Sequence, residues 1–453
     1  MTIMSGNNYY DVTEWTEGNA YEDIGAVINS IIADVKARQS DKDLDEGGKP
    51  GAVIYIPAGD YHLKTQVVID ISFLRIQGAG HGFTSSSFRF NTPEDELPKM
   101  HELWPGGSRV LVDLPGTTSA DESQGAAFLV RREGNPRISS VEFADFCIDG
   151  LHFTDDGSGD IPENSYVNGK TGIYVASAQD SFRIAGMGII YLEHGITLYN
   201  SDALDIHDNF IAECGNCVEL RNMGQASKIT DNFMGAGYKG YSIYAQNFGG
   251  LLIAANNIFP RGESMVHFEG VTRSSITANR FHAFYPGMVV IEKGSAENLV
   301  SSNHFLRTRE PWEPMQCHDN GLDDTYGLIR IDGNDNTVSA NHISEIIDTE
   351  YIKPQGARPV VIRIAGGTGN HVANNHVVAA TESGDEKEEV SGFETQVSNI
   401  LVNDKARRLD AVTVAVDPQS TANTVLDSGT AGQVSIDTAA NAFRPTPGIG
   451  QGA

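Results

Sequence analysis

A short pattern recurs in the chain from residue 206 to residue 377. In each copy an apolar residue is followed by two spacers, an asparagine, one further spacer and a second apolar residue, as in IHDNFI (206–211) and ITDNFM (229–234). Successive asparagines are 23, 25, 22, 24, 38 and 34 residues apart, so four intervals share one period and two contain an insertion. The seven asparagines are Asn209, Asn232, Asn257, Asn279, Asn303, Asn341 and Asn375.

A period near 23 predicts a solenoid of short strands, because the runs between the asparagines, such as LLIAA, MVVIE and VVIRI, are strand-like and show no helical spacing. One turn of such a solenoid is too thin to bury its own apolar face, so neighbouring turns must stack. An asparagine in the same slot of every turn suits a corner, since asparagine tolerates the left-handed conformation and stacked amides can hydrogen-bond one another. We therefore predict an all-β fold, a right-handed parallel β-helix.

The ends of a solenoid need covering, because their strands would otherwise expose unpaired edges. Residues 23–38 carry apolar side chains at helical spacing, which predicts a helix that caps the first coil. That apolar stripe consists of Ile24, Val27, Ile28, Ile31, Ile32 and Val35. We expect an N-terminal arm and capping helix over 1–50, a β-helix domain over 51–430 and a C-terminal tail over 431–453. A polar, mostly acidic insertion at 381–396 is a candidate lid loop.

The overall charge bounds the choice of partners. The 453 residues include 32 Lys and Arg against 60 Asp and Glu, a formal net charge of −28. Such a field repels phosphate backbones and anionic lipid headgroups, so nucleic acid and membrane surfaces are not expected partners, whereas a neutral sugar is compatible. The first residues show no secretory signal, so a cytoplasmic location is expected, or a secreted one if a signal has been removed from the sequence.

The stretch HDNFIAECGNCVEL (207–220) combines two kinds of reactive side chain. Cys214 and Cys217 match C-x-x-C, but no second Cys or His pair lies at zinc-ligand spacing and no βαβ pattern accompanies them, so they are interpreted as scaffold. Asp208 and Glu219 are two acids in one coil, about half a turn apart. Hydrolysis of a glycosidic bond needs two carboxyl groups roughly 5 to 9.5 Å apart, a separation that sequence cannot give.

Each acid also has a structural explanation. Asp208 precedes a ladder asparagine and Asp231 fills the same slot one turn later, which is typical of a turn residue. Glu219 would point outward by strand alternation, where a glutamate is usually solvated, and Glu213 before the tight turn is equally ambiguous.

Weaker candidates are spread along the chain. Asp323 and Asp324 are similar to the adjacent aspartates of polygalacturonases, but the partner motifs of that family are missing. Arg261, Lys170 and Tyr285 could bind sugar hydroxyls or could be structural.

Several motifs together resemble the inulin fructotransferases and difructose dianhydride III hydrolases, glycoside hydrolase family 91. They include YDVTEW, DIGAVINSIIADVK, NGKTGIYVAS, IAECGNCVEL, FPRG, FYPGM, NGLDDTYG and VLDSGT, and the similarity runs nearly the whole chain. The resemblance implies a right-handed parallel β-helix and a homotrimer with active sites between subunits. It also implies that an Asp and a Glu eleven residues apart are catalytic, which map onto Asp208 and Glu219.

Two activities share that family. The resemblance implies either hydrolysis of the cyclic disaccharide difructose dianhydride III to inulobiose, or release of that dianhydride from inulin. The missing signal and the 381–396 insertion favour the hydrolase. No metal or organic cofactor is expected, because the reaction passes through an oxocarbenium-like centre served by two carboxyl groups. Glu219 is expected to act as general acid while Asp208 activates water, although the roles could be exchanged. A non-catalytic, glycan-binding trimeric β-helix is the alternative from another class.

Overall fold

The computed structural model describes residues 8–40, 51–82, 106–134, 137–150, 167–176, 179–236, 240–259, 262–307, 320–347, 358–382, 405–408, 411–426, 428, 434–436 and 442–443. The chain forms two compact units, Met1–Gly237 and Tyr238–Ala453. Both units are built from short strands separated by tight turns.

The first unit contains one α-helix, α1 (Ala20–Ser40), and a short 3₁₀ helix at Glu122–Gly125 among its described residues. Its strands are β1 (Tyr9–Asp11), β2 (Ala52–Ile56), β3 (Gly59–Leu63), β4 (Val67–Ile69), β5 (Leu74–Gly78), β6 (Ser108–Val112), β7 (Ala126–Val130), β8 (Ile138–Ser139), β9 (Glu142–Ala144), β10 (Cys147–Asp149), β11 (Thr171–Val175), β12 (Gln179–Asp180), β13 (Arg183–Ala185), β14 (Gly188–Ile190), β15 (His194–Tyr199), β16 (Asp205–His207), β17 (Phe210–Cys214), β18 (Asn216–Arg221), β19 (Gly224–Gln225), β20 (Lys228–Thr230) and β21 (Phe233–Ala236).

The strands of the second unit are β22 (Tyr241–Gln246), β23 (Phe248–Gly249), β24 (Leu252–Ala254), β25 (Asn257–Ile258), β26 (Ser264–Glu269), β27 (Ser275–Thr277), β28 (Arg280–Ala283), β29 (Val289–Ile291), β30 (Leu299–Ser301), β31 (His304–Arg307), β32 (Ile329–Ile331), β33 (Thr337–Ser339), β34 (His342–Ile347), β35 (Val360–Ile364), β36 (His371–Ala373), β37 (His376–Glu382), β38 (Lys405–Arg408), β39 (Val412–Val416), β40 (Thr424–Leu426), β41 (Val434–Ile436) and β42 (Ala442–Phe443).

Each coil contributes one strand to each of three sheets, called A, B and C. In the first unit sheet A is β1-β2-β5-β9-β13-β16-β20, sheet B is β3-β6-β10-β14-β17-β21 and sheet C is β4-β7-β11-β15-β18. In the second unit the orders are β24-β27-β30-β33-β36-β40-β42, β25-β28-β31-β34-β37-β38 and β22-β26-β29-β32-β35-β39-β41. Neighbouring strands within these sets pair in parallel except that β38 runs antiparallel to β37. The fold is the predicted right-handed parallel β-helix.

The period of 23 residues sets the register between coils. Ile206 of β16 pairs with Ile229 of β20, one coil later in sheet A, and Ile211 of β17 pairs with Met234 of β21 in sheet B. All four side chains are fully buried. Like residues therefore stack on like residues through the interior, which is how each thin coil buries its apolar face.

The asparagine ladder lies at the corner between sheets A and B. Buried amides hydrogen-bond from coil to coil, for example Asn209 Nδ2 to Asn232 Oδ1 at 2.9 Å and Asn279 Nδ2 to Asn303 Oδ1 at 3.0 Å. Two details of the prediction were wrong. In AANNIF the ladder residue is Asn256, which donates to Asn279 at 2.9 Å, whereas Asn257 is the first residue of β25.

The left-handed residue is also not the asparagine itself. The residue before each ladder asparagine adopts positive φ, as with Asp208 at 55° and Asp231 at 59°. The asparagine side chain then points into the coil, where the neighbouring amide and backbone groups fill its hydrogen-bonding capacity. A second ladder, which the sequence pattern did not reveal, precedes the first by five residues and consists of Asn298, Asn336, Asn370 and Asn423.

The predicted capping helix is confirmed. All six residues of its apolar stripe are buried against the first coil. Its polar side chains also occupy backbone groups at the open edge: Asn29 accepts from the Val68 N–H at 2.9 Å and donates to the Gln66 carbonyl at 2.8 Å. The helix thus covers the edge of sheet C that would otherwise lack a partner.

The predicted domain boundaries stay predictions, and strand pairing crosses two of them. β1 lies within 1–50 and pairs with β2, while β41 and β42 lie within 431–453 and pair with β39 and β40. Residues 381 and 382 end β37, and the rest of the candidate lid at 381–396 lies outside the described residues.

Candidate active site

Glu219 occupies the middle of β18, on the outer side of sheet C. Its neighbours Val218 and Leu220 are fully buried and pair with Ile196 and Leu198 of β15, so strand alternation turns Glu219 away from the interior. The outward direction was expected, but the burial was not: Glu219 is only 1% exposed. A carboxyl group buried to that degree requires partners.

Four donors surround the two carboxyl oxygens of Glu219. His194 Nδ1 lies 2.6 Å and Thr197 Oγ1 3.1 Å from Oε2, both from β15 in the preceding coil. Arg221 reaches Oε1 with Nε at 3.1 Å and also with Nη2. Since an ionised carboxylate offers about four lone-pair sites, these contacts satisfy the group almost completely.

A second carboxyl group lies on the far side of the same histidine. Glu122 begins the short 3₁₀ helix before β7, and its Oε1 is 4.0 Å from His194 Nε2 and 3.6 Å from Arg221 Nη1. The imidazole and the guanidinium thus both stand between Glu122 and Glu219. Beside them Arg221 Nη1 contacts the Tyr199 hydroxyl at 3.4 Å, and the Tyr199 ring lies against Tyr174.

The electrostatics of this cluster favour charged forms. Burial by itself would raise the pKa of Glu219, but the hydrogen bonds and positive charges of His194 and Arg221 lower it below its ordinary value. Burial would lower the pKa of His194, yet Glu219, followed by Glu122 and Glu193, raises it. The cluster therefore favours a carboxylate on Glu219 and a positive charge on His194, beside the guanidinium of Arg221.

Asp208 lies in a different environment. It is the left-handed corner residue between β16 and β17, and its side chain is 68% exposed. His207 Nδ1 lies 2.8 Å from its Oδ2, and the other ring nitrogen of His207 is 3.9 Å from Asp205. The corner conformation matches the structural explanation, while the exposed carboxyl group stays free to meet another molecule.

The strand topology places Asp208 and Glu219 on different sides of their coil. Asp208 leaves the coil at the corner between sheets A and B, whereas Glu219 leaves it from the outer face of sheet C. The two carboxyl groups therefore face different directions from the same coil.

Comparison with known proteins places this chain among carbohydrate-active β-helices. Residues 302–447 match the β-helix repeat of inulin fructotransferase, and residues 129–319 match the model of the periplasmic copper-binding protein NosD. The DFA-I-forming inulin fructotransferase of Arthrobacter globiformis is 39% identical over 415 residues, which are 90% of this chain and 98% of that protein. The chain belongs to glycoside hydrolase family 91.

Solved structures within the family are more similar still. DFA-IIIase from Arthrobacter chlorophenolicus A6, in complex with DFA-III, is 64% identical with a TM-score of 0.89, over 98% of this chain and 99% of that one. The same enzyme without its lid is 62% identical with a TM-score of 0.84, over 98% of this chain and 100% of that one.

The thiols of this family 91 chain are buried scaffold residues. Cys214 and Cys217 are fully buried and not joined in a disulfide. Burial raises the pKa of the Cys214 thiol to about 12 and that of Cys217 well above its ordinary value, which disfavours the reactive thiolate.

Two predicted binding residues of the first unit, Lys170 and Glu213, lie in buried or half-buried positions, and their roles toward substrate stay predictions. Lys170 Nζ donates to the carbonyls of Val112 and Gly150 at 2.7 Å each, and burial lowers its pKa. Glu213 is a buried, left-handed residue (φ 54°) at the bulge of β17. Two of the three N–H donors of the Lys170 ammonium are thus used by backbone carbonyls. Its own backbone carbonyl accepts from the His194 N–H at 3.1 Å.

The other predicted binding residues belong to the second unit or lie outside the described residues. Asp324 Oδ1 accepts from Arg307 Nη2 at 2.6 Å, which commits it to a buried cation. Tyr285 is half-buried after β28. Arg261 lies outside the described residues. Their roles toward substrate stay predictions.

Sequence reasoning missed four residues of the cluster around Glu219: Arg221, His194, Thr197 and Glu122. Arg221 stands two positions after Glu219, so strand alternation puts both on one side of β18, a signal the sequence did contain. His194 would have emerged from aligning β15 with β18 by the coil period. Glu122 comes from an irregular segment, and no periodic signal identifies it.

No helix in the described part of the chain is long and apolar enough to cross a membrane. Within the same residues no group of three or more His, Cys, Asp or Glu side chains has an arrangement that could hold a metal ion.

Proposed function

We propose that this protein hydrolyses difructose dianhydride III to inulobiose. The observation that carries the proposal is 64% identity over nearly the whole chain to a DFA-IIIase whose structure contains DFA-III. The relative that forms DFA-I from inulin is 39% identical, which makes fructotransfer the second candidate. The convex outer face of a solenoid suits a small substrate only if another surface closes over it.

We infer that the catalytic acids are Asp208 and Glu219 and that they meet across a subunit interface of a homotrimer. The inference is supported by their positions, because in one chain the exposed Asp208 corner and the Glu219 face of sheet C point apart. A symmetric assembly can set the corner of one subunit against the face of the next. One glycosidic bond would then lie between an Asp from one chain and a Glu from another.

In this arrangement the two acids have different tasks. Glu219 protonates the departing oxygen and Asp208 takes a proton from the attacking water, as two-carboxylate hydrolysis requires. Because Glu219 is ionised in the free chain, it must first receive a proton from a neighbour. Asp208, exposed at its corner, is reachable by solvent and by substrate alike.

A product assay tests the function directly. Purified protein is offered difructose dianhydride III and inulin in separate reactions, and the products are separated by chromatography. Inulobiose from the dianhydride with inulin unchanged supports the hydrolase. A cyclic dianhydride released from inulin would establish the fructotransferase instead, and no product from either substrate would favour a binding protein.

Mixed trimers test the shared site. Asp208→Asn and Glu219→Gln are each expected to be inactive, but coexpressed chains should regain activity because some interfaces combine an intact Asp208 with an intact Glu219. Random assembly in equal amounts restores about a quarter of the wild-type sites, since each such interface needs one specific pair. If both acids of a site came from one chain, no mixture would recover activity.

A further inference from the structure

The proton that Glu219 delivers must come from one of its neighbours. Among the described residues its hydrogen-bond partners are His194, Thr197 and Arg221. A guanidinium does not lose its proton in proteins, and a threonine hydroxyl is far too weak an acid near neutral pH. Only the imidazolium can both hold a proton and release it at the pH where enzymes of this kind work.

The geometry around His194 fits a proton supply. Its Nδ1 lies 2.6 Å from Glu219 Oε2, within the range of a short, charge-assisted hydrogen bond. Its Nε2 faces Glu122 at 4.0 Å, so each nitrogen of the ring points toward a carboxylate. The ring is largely buried, with a side chain only 13% exposed, which keeps competing water away.

Burial lowers the pKa of His194, but the carboxylates of Glu219, Glu122 and Glu193 raise it above its ordinary value. Glu219 contacts the ring from β18 and Glu122 faces it from the 3₁₀ helix, while the Arg221 guanidinium contacts both of these carboxylates. The adjacent Glu193 accepts from the Gly169 N–H at 2.7 Å. The second oxygen of Glu122, Oε2, is buried without a hydrogen-bond partner in the described part of the chain, so this carboxylate has no better partners than His194 and Arg221.

We propose that His194 supplies the proton that Glu219 passes to the departing oxygen, and that Glu122 positions His194 for that transfer. The proposal rests on the proposed function. His194 acts through Glu219 and is a positioning residue rather than a catalytic one.

The proton balance is as follows. His194 Nδ1 gives its proton to Glu219, which becomes neutral. The glycosidic C–O bond breaks, the departing oxygen keeps the electron pair, and it takes the proton from Glu219. Water bonds to the fructosyl carbon and loses a proton to Asp208, and exchange with solvent returns that proton to His194, so that one water is consumed in total.

His194→Asn separates proton supply from positioning. Asparagine keeps an N–H donor near the position of Nδ1 but has no proton to release. We expect kcat at pH 7 to fall about 10²–10⁴-fold with KM within about threefold, as is typical when acid–base catalysis is lost. His371→Asn on sheet A of the second unit is the matched control and should keep wild-type kcat.

The pH profile gives a second readout. Wild-type activity should decline as pH rises through the raised pKa of His194. In His194→Asn no imidazolium is present, so Glu219 must take its proton from solvent, and it is protonated only at lower pH than His194. The alkaline limb of the pH profile of His194→Asn should therefore lie at lower pH than that of the wild type. An unchanged kcat and an unchanged alkaline limb in His194→Asn would overturn the proposal and leave His194 a structural residue.

A histidine titration by NMR does not depend on turnover. In selectively labelled trimer, the His194 signal, assigned by its loss in His194→Asn, should titrate above the ordinary range. Both Glu122→Gln and Glu219→Gln should lower its midpoint. If the wild type hydrolysed no dianhydride but both variants lowered the titration midpoint of His194, the proposed function would be wrong, whereas the interaction of His194 with Glu122 and Glu219 would be supported. An unshifted His194, or no response to Glu122→Gln, would reject the arrangement itself.

Discussion

Two buried glutamates on strands of this β-helix have opposite electrostatics. Glu219 in the first unit is 1% exposed and Glu345 in the second is 0% exposed, and each contacts an arginine. The pKa of Glu219 is lowered by His194 and Arg221 despite burial. Burial raises the pKa of Glu345 to about 7, and Arg307 offsets that rise only in part.

The number of donors explains the difference. Glu219 has donors on both oxygens, whereas Glu345 has Arg307 Nη1 at 2.9 Å on Oε1 and no partner for Oε2 among the described residues. Arg307 also divides its charge, because Nη2 binds Asp324 at 2.6 Å. Burial alone therefore does not decide the state of a carboxyl group; the count of donors around it does.

The largest expected contrast is in catalysis. Glu219→Gln should reduce turnover of difructose dianhydride III by about 10²–10⁴-fold or more, because an acid–base group at the reacting bond is lost. Glu345→Gln, of the same chemistry and burial, should leave turnover within about threefold. Steady-state assays on both variants check this, with circular dichroism to establish that each is folded. Equal losses in the two would mean that the comparison between a functional and a structural glutamate is wrong.

Arg307 of the second unit should have the largest effect on the free energy of unfolding. Arg307→Leu should lower the free energy of unfolding by roughly 3–5 kcal/mol, because Glu345 and Asp324 both lose a buried partner. Replacing Glu345 by leucine as well should recover part of that loss, since an apolar pair costs no desolvation. Urea unfolding measures both. A double variant less stable than Arg307→Leu alone would show that Glu345 is stabilised by something other than Arg307.

The smallest effect is the pH dependence of stability. The pKa of Glu345 is about 7 in the folded chain against an ordinary 4.5. Between those values the folded chain binds more protons than the unfolded chain, so the Glu345 contribution to stability is present at low pH and is lost as pH rises toward 7, by on the order of 3 kcal/mol. The difference in the free energy of unfolding between pH 5 and pH 8 should therefore be smaller in Glu345→Gln than in the wild type, as measured by unfolding curves at both pH values. The same pH dependence of the free energy of unfolding in both proteins would exclude Glu345 as the cause of that dependence.

Much of the fold could be predicted because the β-helix repeats. The period between asparagines fixed which residues stack, and the helical stripe from Ile24 to Val35 identified the cap. The errors were local: Asn257 was chosen over Asn256 because both are asparagines beside an apolar residue, and positive φ falls on the preceding residue. Neither error changes the architecture, since it depends on the spacing and not on any one corner.

The candidate site was predicted only in part, and its catalytic role stays a prediction. Glu219 and Asp208 came from the family resemblance and their spacing, and alternation correctly turned Glu219 outward. The environment of Glu219 was predictable only in part. Arg221 follows from strand alternation and His194 from the coil period, whereas Glu122 comes from an irregular segment about a hundred residues earlier in the chain and has no periodic signature.

By itself, then, the sequence determined the repeat, the direction in which each strand residue points and the family to which the chain belongs, since all three are properties of spacing and of local motifs. Only the tertiary structure decided that Glu219 is buried, surrounded by donors and ionised, and that Asp208 faces elsewhere. The physical reason is that the pKa of a carboxyl group depends on the charges and hydrogen-bond donors within a few ångströms. In a solenoid those neighbours come from other coils.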